Sequence, residues 1–267
     1  MIPKQDNLWL SVFQPKPFAR IQLVCFPYAG GGASLFRPWV RLLPAEIDVC
    51  AVQLPGRENR LAEPPFTRVL PLVEKMAQQL VPVLRPPFAF FGHSMGALLS
   101  FEMARHLRTV YGLSPLHLFV SGHRAPHVSA QHAHIFRLPD PDFIEEVRRL
   151  KGTPEEVLAN AELLELLLPA LRADFELCET YEYRQDTPLS CPISAFGGLQ
   201  DENVGRDSVL AWRELTDGSF SARFFNGGHF FLHEERWSLL HVVSQTLLQY
   251  SLDTFVGNTK TGGVVYD

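Results

Sequence analysis

The most informative segment of this chain reads Phe88-Ala89-Phe90-Phe91-Gly92-His93-Ser94-Met95-Gly96-Ala97-Leu98-Leu99-Ser100. An apolar run suited to a buried strand ends at Gly92, and an apolar segment compatible with a helix begins at Met95. Between them lies Gly-x-Ser-x-Gly, the pattern of a sharp strand-to-helix turn that presents its serine above a sheet. The segment therefore predicts a reactive Ser94 at a helix N-terminus, where partial positive charge favours developing negative charge. The alternative is a serine between glycines in an ordinary tight turn.

Length and composition favour one α/β domain, or one domain with a sizeable insertion, in a chain of 267 residues. Hydrophobic residues make up 46% and charged residues 20%, so a packed core is expected. The net charge of −5 argues against a basic surface that would bind nucleic acid. No apolar run approaches the roughly 20 residues of a membrane span. The first residues lack the layout of a signal peptide, so we expect a cytoplasmic protein.

Strand-like and helix-like segments alternate along most of the chain. The strand-like runs are 20–26, 48–54, 88–91, 117–121, 193–196 and 221–225. The helix-like runs are 34–43, 69–84, 95–110 and 237–248. This alternation predicts a mostly parallel sheet that helices cover on both faces.

The alternation stops between the fourth and fifth of these strands. Residues of about 127–187, which we call the helical insertion, contain three leucine-rich segments of helical pattern. We interpret the insertion as a lid over an acyl-binding cleft, and the alternative is a plain packing layer. Residues 1–253 are then a single domain, and 254–267 form a flexible C-terminal tail with little to bury.

A nucleophilic serine needs a general base, and the base needs an orienting acid. In α/β-hydrolases these follow in the order serine, acid, histidine, on loops at the carboxyl ends of strands. Asp201 follows one late strand, and His229 follows the last strand after two glycines. We therefore predict a Ser94, Asp201 and His229 triad, with Glu202 and His233 as the competing acid and base.

A tetrahedral intermediate also needs two donors for its oxyanion. One is the amide of Met95, which follows the nucleophile. We place the other in the glycine-rich loop after the first predicted strand, at Ala29, with Tyr28 and Gly30 as alternatives. This loop lacks the spacing of a nucleotide cradle.

Aromatic residues beside these loops are candidates for substrate binding. Tyr28, Phe230 and Phe231 are expected to line an acyl channel, and core packing is the alternative. The four cysteines are scattered without paired spacing, which argues against a zinc site or a disulfide framework. We expect no metal and no cofactor.

Six motifs together resemble the type II thioesterase family, the stand-alone editing enzymes of polyketide and nonribosomal peptide synthases, and the related medium-chain fatty acyl thioesterase. The resemblance covers about residues 21–248. The motifs are Phe26-Pro27-Tyr28-Ala29-Gly30-Gly31, Leu54-Pro55-Gly56-Arg57, Phe91-Gly92-His93-Ser94-Met95-Gly96, Ser121-Gly122-x-Arg124-Ala125-Pro126, Leu168-Pro169-x-Leu171-Arg172-x-Asp174 and Gly227-Gly228-His229-Phe230.

The resemblance implies an α/β-hydrolase fold with a helical lid. It also implies that acyl groups are hydrolysed from the phosphopantetheine arm of acyl- or peptidyl-carrier proteins. The family's triad and oxyanion donors map onto the five residues already named. We expect a monomer, with Arg57 and Arg124 as structural or carrier-facing charges. Acyl transfer or ester hydrolysis by the same triad remains open, as does a non-catalytic carrier-binding module.

Overall fold

A computed structural model describes residues 7–129, 134–153 and 155–257. Within them, seven strands form one sheet in the order β1-β3-β2-β4-β5-β6-β7. The strands are β1 (Leu10–Ser11), β2 (Ile21–Phe26), β3 (Ile47–Val52), β4 (Phe88–His93), β5 (Leu118–Ser121), β6 (Ile193–Gly198) and β7 (Phe220–Phe225). Only β1 runs antiparallel to its neighbour, so the predicted mostly parallel sheet is confirmed.

Because these strands are parallel, the loops that follow them, which carry the candidate polar residues, all lie at the carboxyl-terminal end of the sheet. Phe26 at the end of β2 lies opposite Gly92 of β4, and His93 lies opposite Ser121 at the end of β5. Strands β2 to β6 are buried along their whole length, which explains their near-continuous apolar sequences. The loops after β4, β6 and β7 therefore meet above the middle of the sheet.

Helices cover both faces of this sheet. They are α1 (Trp39–Leu42), α2 (Val69–Leu80), α3 (Met95–His106), α4 (Asp140–Leu150), α5 (Glu155–Leu158), α6 (Ala161–Glu179), α7 (Arg206–Leu210), α8 (Phe231–Glu234) and α9 (Arg236–Gly257). One face packs against α2 and α3, and the other packs against α1 and α9. No helix in the described part of the chain is long and apolar enough to cross a membrane.

The helical insertion enters from β5 and returns to β6. Its helices α4, α5 and α6 build a small core of their own around Phe143, Val147, Leu158 and Leu171. Asn160 caps α6 by accepting a hydrogen bond from the amide of Leu163 at 3.1 Å. The described part of the insertion is thus a helical layer with its own core. Residues 130–133 and 154 lie outside the described residues.

Three of the differences from the sequence-based expectations concern whole elements. The short strand β1 pairs with β3 at the sheet edge, where no strand was predicted. The segment 34–43 divides into a 3-10 turn at Ala33–Phe36 and the single turn α1. Helix α9 continues to Gly257 and so includes the first four residues of the predicted tail, whereas 258–267 lie outside the described residues.

Candidate active site

Ser94 lies between the last residue of β4 and the first residue of α3. Its φ of 52° and ψ of −119° are in a region that residues with a side chain rarely adopt. A Cβ added at Gly92 would lie 2.0 Å from the carbonyl oxygen of Gly96, and one added at Gly96 would lie 2.1 Å from that of Phe26. Both glycines are therefore required by close backbone contact, as the predicted turn demands.

His229 lies at the carboxyl-terminal end of the sheet, after the Gly227-Gly228 turn that follows β7. Its Nε2 lies 3.1 Å from Ser94 Oγ, and its Nδ1 lies 2.8 Å from Asp201 Oδ2. An ionised carboxylate only accepts hydrogen bonds, so Nδ1 is the protonated nitrogen and Nε2 is free to accept from the serine hydroxyl. The three side chains predicted from the sequence are thus brought into one hydrogen-bonded chain.

Asp201 is held in the turn after β6 by the backbone that follows it. Its Oδ1 accepts hydrogen bonds from the amides of Asn203 at 2.9 Å and Val204 at 3.1 Å. The side chain is fully buried. The neighbouring Glu202, the competing acid, is exposed. The competing base, His233, has its Nε2 3.1 Å from the hydroxyl of Tyr28.

The two amides expected to bind the oxyanion have no acceptor in the described part of the chain. Among the described residues, neither Met95 nor Ala29 donates its N–H to any acceptor. Met95 is the first residue of α3, and amides in the first turn of a helix have no partner within it. The N–H of Gly30 donates to Asp174 Oδ2 at 2.7 Å, so this alternative donor is already occupied.

The three aromatic candidates occupy different environments. Tyr28 is buried against Phe230 and His93, and burial raises the pKa of its hydroxyl to about 12. Phe230 is half-buried and its ring contacts that of His229. Phe231 differs from the expectation, because it is fully buried in the core and stacked on Phe225. A ring with no accessible surface cannot line a channel, so Phe231 is a packing residue.

His93 is a buried neighbour of the site to which the sequence analysis gave no role. Its Nδ1 lies 2.9 Å from Ser121 Oγ, and its Nε2 has no hydrogen-bond partner among the described residues. Burial holds its pKa well below the usual value for histidine, and the nearby His229 adds to that effect. His93 is therefore neutral and adds no positive charge beside the site.

Two further polar residues near the loop of Ala29 also lacked a specific role. Arg57 and Asp174 form a buried ion pair, although they lie far apart in sequence. Its burial excludes Arg57 as a carrier-facing charge. Both residues belong to motifs noted in the sequence, but a motif does not say that its polar residue contacts another motif.

Comparisons with known proteins agree with this geometry. The family model described as "Thioesterase domain" matches residues 21–247. Gramicidin S biosynthesis protein GrsT of Aneurinibacillus migulanus is 48% identical over 243 residues, which cover 91% of this chain and 95% of the relative. Thioesterase PikA5 of Streptomyces venezuelae is 40% identical, over 91% of this chain and 86% of its own.

Solved structures give the same result. The type II thioesterase BorB from the borrelidin biosynthetic cluster superposes with a TM-score of 0.83 at 39% identity, covering 89% of this chain and 97% of that one. This likeness confirms the expected α/β-hydrolase fold and the resemblance to type II thioesterases. With a family model that matches most of its length and relatives well above 30% identity, the chain belongs to the thioesterase family.

Proposed function

We propose that this thioesterase hydrolyses acyl groups from the phosphopantetheine arm of acyl- or peptidyl-carrier proteins, and so clears stalled or misprimed biosynthetic assembly lines. The observation that carries the proposal is the hydrogen-bonded chain from Ser94 through His229 to Asp201, at the carboxyl ends of the parallel strands. The relatives support the pathway class, since one is named for gramicidin S biosynthesis and another comes from the borrelidin cluster.

In the first half of the reaction, Ser94 Oγ attacks the thioester carbonyl carbon. His229 Nε2 takes the hydroxyl proton as the new C–O bond forms. The C–S bond then breaks, and the proton on His229 passes to the leaving sulfur, which departs as the free thiol of the carrier arm. The product on the enzyme is an ester between the acyl group and Ser94.

In the second half, water takes the place of the thiol. His229 Nε2 accepts a proton from the water while its oxygen attacks the acyl carbon. The ester C–O bond breaks, the proton returns to Ser94 Oγ, and the free acid leaves. The resting enzyme is restored, and the net reaction consumes one water for each thioester.

Negative charge develops on the carbonyl oxygen in both halves. We assign its stabilisation to the amides of Met95 and Ala29, neither of which donates to an acceptor among the described residues. Asp201 holds His229 in the tautomer that leaves Nε2 free to accept, and it stabilises the imidazolium formed in each half. Tyr28 and Phe230 are assigned to the wall of the acyl site.

Intact-protein mass spectrometry tests the proposal directly. A carrier protein loaded with acetyl, octanoyl or a longer acyl group is incubated with wild type, Ser94→Ala or Ser100→Ala. Ser100 is a matched control, because it lies in α3, the helix that follows Ser94, and in the described part of the chain its hydroxyl bonds only the carbonyl of Ala97. We expect wild type and Ser100→Ala to remove the acyl mass and release free acid, and Ser94→Ala to be slower by about 10⁵–10⁶ in kcat.

Two results would contradict the proposal. Retention of the acyl group with wild-type enzyme would exclude carrier-bound thioesters of these lengths as substrates. Loss of the acyl group without free acid, and with an acylated acceptor in its place, would instead identify an acyltransferase. More than about a tenth of wild-type turnover in Ser94→Ala would refute the assigned nucleophile.

A further inference from the structure

Arg57 and Asp174 form a doubly hydrogen-bonded ion pair beside the loop of Ala29. Arg57 Nη1 lies 2.7 Å from Asp174 Oδ2, and Nη2 lies 2.8 Å from Oδ1. Arg57 is 4% exposed and Asp174 is 2% exposed. Arg57 follows β3, whereas Asp174 lies on α6 of the helical insertion. The pair therefore joins the insertion to the edge of the sheet.

Both members of the pair also bind the backbone of the loop. Asp174 Oδ2 accepts the amide of Gly30 at 2.7 Å, and Arg57 Nη1 donates to the carbonyl oxygen of Gly31 at 3.2 Å. Leu171, one turn earlier on α6, packs so closely that a Cβ on Gly30 would lie 2.8 Å from its Cδ1. Helix α6 thus holds this part of the loop by contact and by hydrogen bonds.

These bonds determine where the amide of Ala29 points. The carbonyl of Tyr28 and the N–H of Ala29 belong to one planar trans peptide unit, so they point in opposite directions. The Tyr28 carbonyl accepts the amide of Gly31 at 2.9 Å, which directs the Ala29 N–H away from that turn. The turn itself is held by the bonds from Gly30 and Gly31 to the ion pair.

A buried ion pair is weak evidence for stability, because the desolvation of two charges offsets much of their attraction. Its effect on geometry is more specific, since the planar guanidinium fork fits the carboxylate in only a few orientations. The pair bonds the loop at Gly30, which is next to Ala29, and at Gly31, which is one residue further along the chain. The pair is therefore placed to hold the oxyanion donor in position, and not to react itself.

We propose that Asp174 and Arg57 are positioning residues for the oxyanion donor at Ala29, and that they make the alignment of this donor depend on the position of α6. The inference rests on the proposed function only in its use of Ala29 as a donor. Neither side chain touches the substrate. Displacement of α6 from the sheet would withdraw the acceptor of the Gly30 amide and release the turn.

The first test compares Asp174→Asn and Arg57→Lys with wild type. Asparagine has nearly the same shape, but its NH₂ group would face an arginine donor, and lysine cannot form the planar fork. Direct loss of an oxyanion donor costs about 10²–10³ in kcat. For a misaligned donor we expect about 10- to 100-fold lower kcat, with KM changed by less than about threefold, because the donor acts mainly in the transition state.

A second measurement reports on the loop itself. Hydrogen exchange of the Gly30 amide should be fast in a third variant, Asp174→Ala, which removes the acceptor of this amide, and slow in wild type. Phosphonylation of Ser94 by a fluorophosphonate should slow in parallel with kcat. In that reaction Oγ bonds to phosphorus, fluoride leaves, and the serine proton passes to His229, while the phosphoryl oxygen uses the same donors.

Two matched controls separate positioning from general damage. Glu176→Gln breaks an ion pair of the same helix with Arg68, and Glu102→Gln breaks a buried pair with Arg105. In the described part of the chain, neither glutamate has a hydrogen bond or an ion pair with the loop. Both controls should keep kcat within about twofold, and thermal melting would establish that all variants are folded at the assay temperature.

The inference is overturned if folded Asp174→Asn keeps wild-type kcat, if folded Asp174→Ala keeps a protected Gly30 amide, or if Glu102→Gln loses as much activity as Asp174→Asn. Failure of the proposed function has a different signature. Wild type would then leave acyl-carrier thioesters intact, while its Ser94 would still react with the fluorophosphonate faster than that of Asp174→Asn.

Discussion

Replacement of Asp201 by asparagine should reverse the protonation of His229 without a change of shape. In the wild-type protein, Oδ1 accepts two backbone amides, from Asn203 and Val204, and Oδ2 accepts Nδ1–H of His229. An asparagine oxygen must take the Oδ1 position, because the opposite orientation would face two N–H donors with an NH₂ group. The NH₂ group then faces Nδ1 and can bond it only if Nδ1 carries no proton.

The consequence falls on the nitrogen that faces the nucleophile. With Nδ1 unprotonated, neutral His229 carries its proton on Nε2, which lies 3.1 Å from Ser94 Oγ. Nε2 can then no longer accept the serine proton. Loss of the correct tautomer in a triad of this geometry costs about 10⁴ in kcat, equivalent to about 5 kcal/mol of transition-state stabilisation. Binding of the substrate should change little.

The assay combines steady-state hydrolysis of an acyl-carrier thioester with nitrogen-15 NMR of His229. We expect the proton on Nδ1 in wild type and on Nε2 in Asp201→Asn, together with the loss of kcat. The control is Glu202→Gln, since Glu202 is exposed and adjacent. More than a tenth of wild-type kcat in Asp201→Asn, or an equal loss in Glu202→Gln, would refute the reasoning.

Three further predictions concern folding. Gly96→Ala should destabilise the protein by more than about 2 kcal/mol in urea unfolding, because its Cβ would lie 2.1 Å from the carbonyl oxygen of Phe26; a smaller loss would contradict the tight turn. Burial lowers the pKa of His117 to about 4, so the unfolded state binds more protons below about pH 6.5. His117 should therefore account for about 2 kcal/mol of the fall in the free energy of unfolding between about pH 7.5 and pH 5, and the fall should be smaller by about that amount in His117→Gln. Phe143→Ala should cost about 3–5 kcal/mol within the core of the insertion, measured as faster hydrogen exchange in α4 and α6 while the sheet stays protected.

The sheet and the turn at Ser94 could be predicted because their signals are local. A run such as Phe88–Phe91 is apolar at every position, as is typical of a strand buried on both faces. Gly92 marks a close backbone contact with Gly96, which lies within the same five residues. Asp201 and His229 could then be chosen because each follows a predicted strand, in the expected order after Ser94.

What the sequence did not reveal depends on contacts between distant segments. Leu10 and Ser11 form a strand only because β3 offers a free edge. Phe231 and Phe230 are adjacent aromatics after the same turn, and only packing separates the buried ring from the half-buried one. Arg57 and Asp174 look like ordinary charged residues until the fold brings them together.

The position of the helical insertion has a consequence for how such enzymes can be recombined. It leaves the sheet after β5 and returns at β6, and these two strands are hydrogen-bonded neighbours, with Leu118 opposite Ile193. A segment of different length and composition could therefore be exchanged between them without a break in the sheet. If α6 supports the loop of Ala29 as inferred, a functional chimaera must also carry a carboxylate in the place of Asp174.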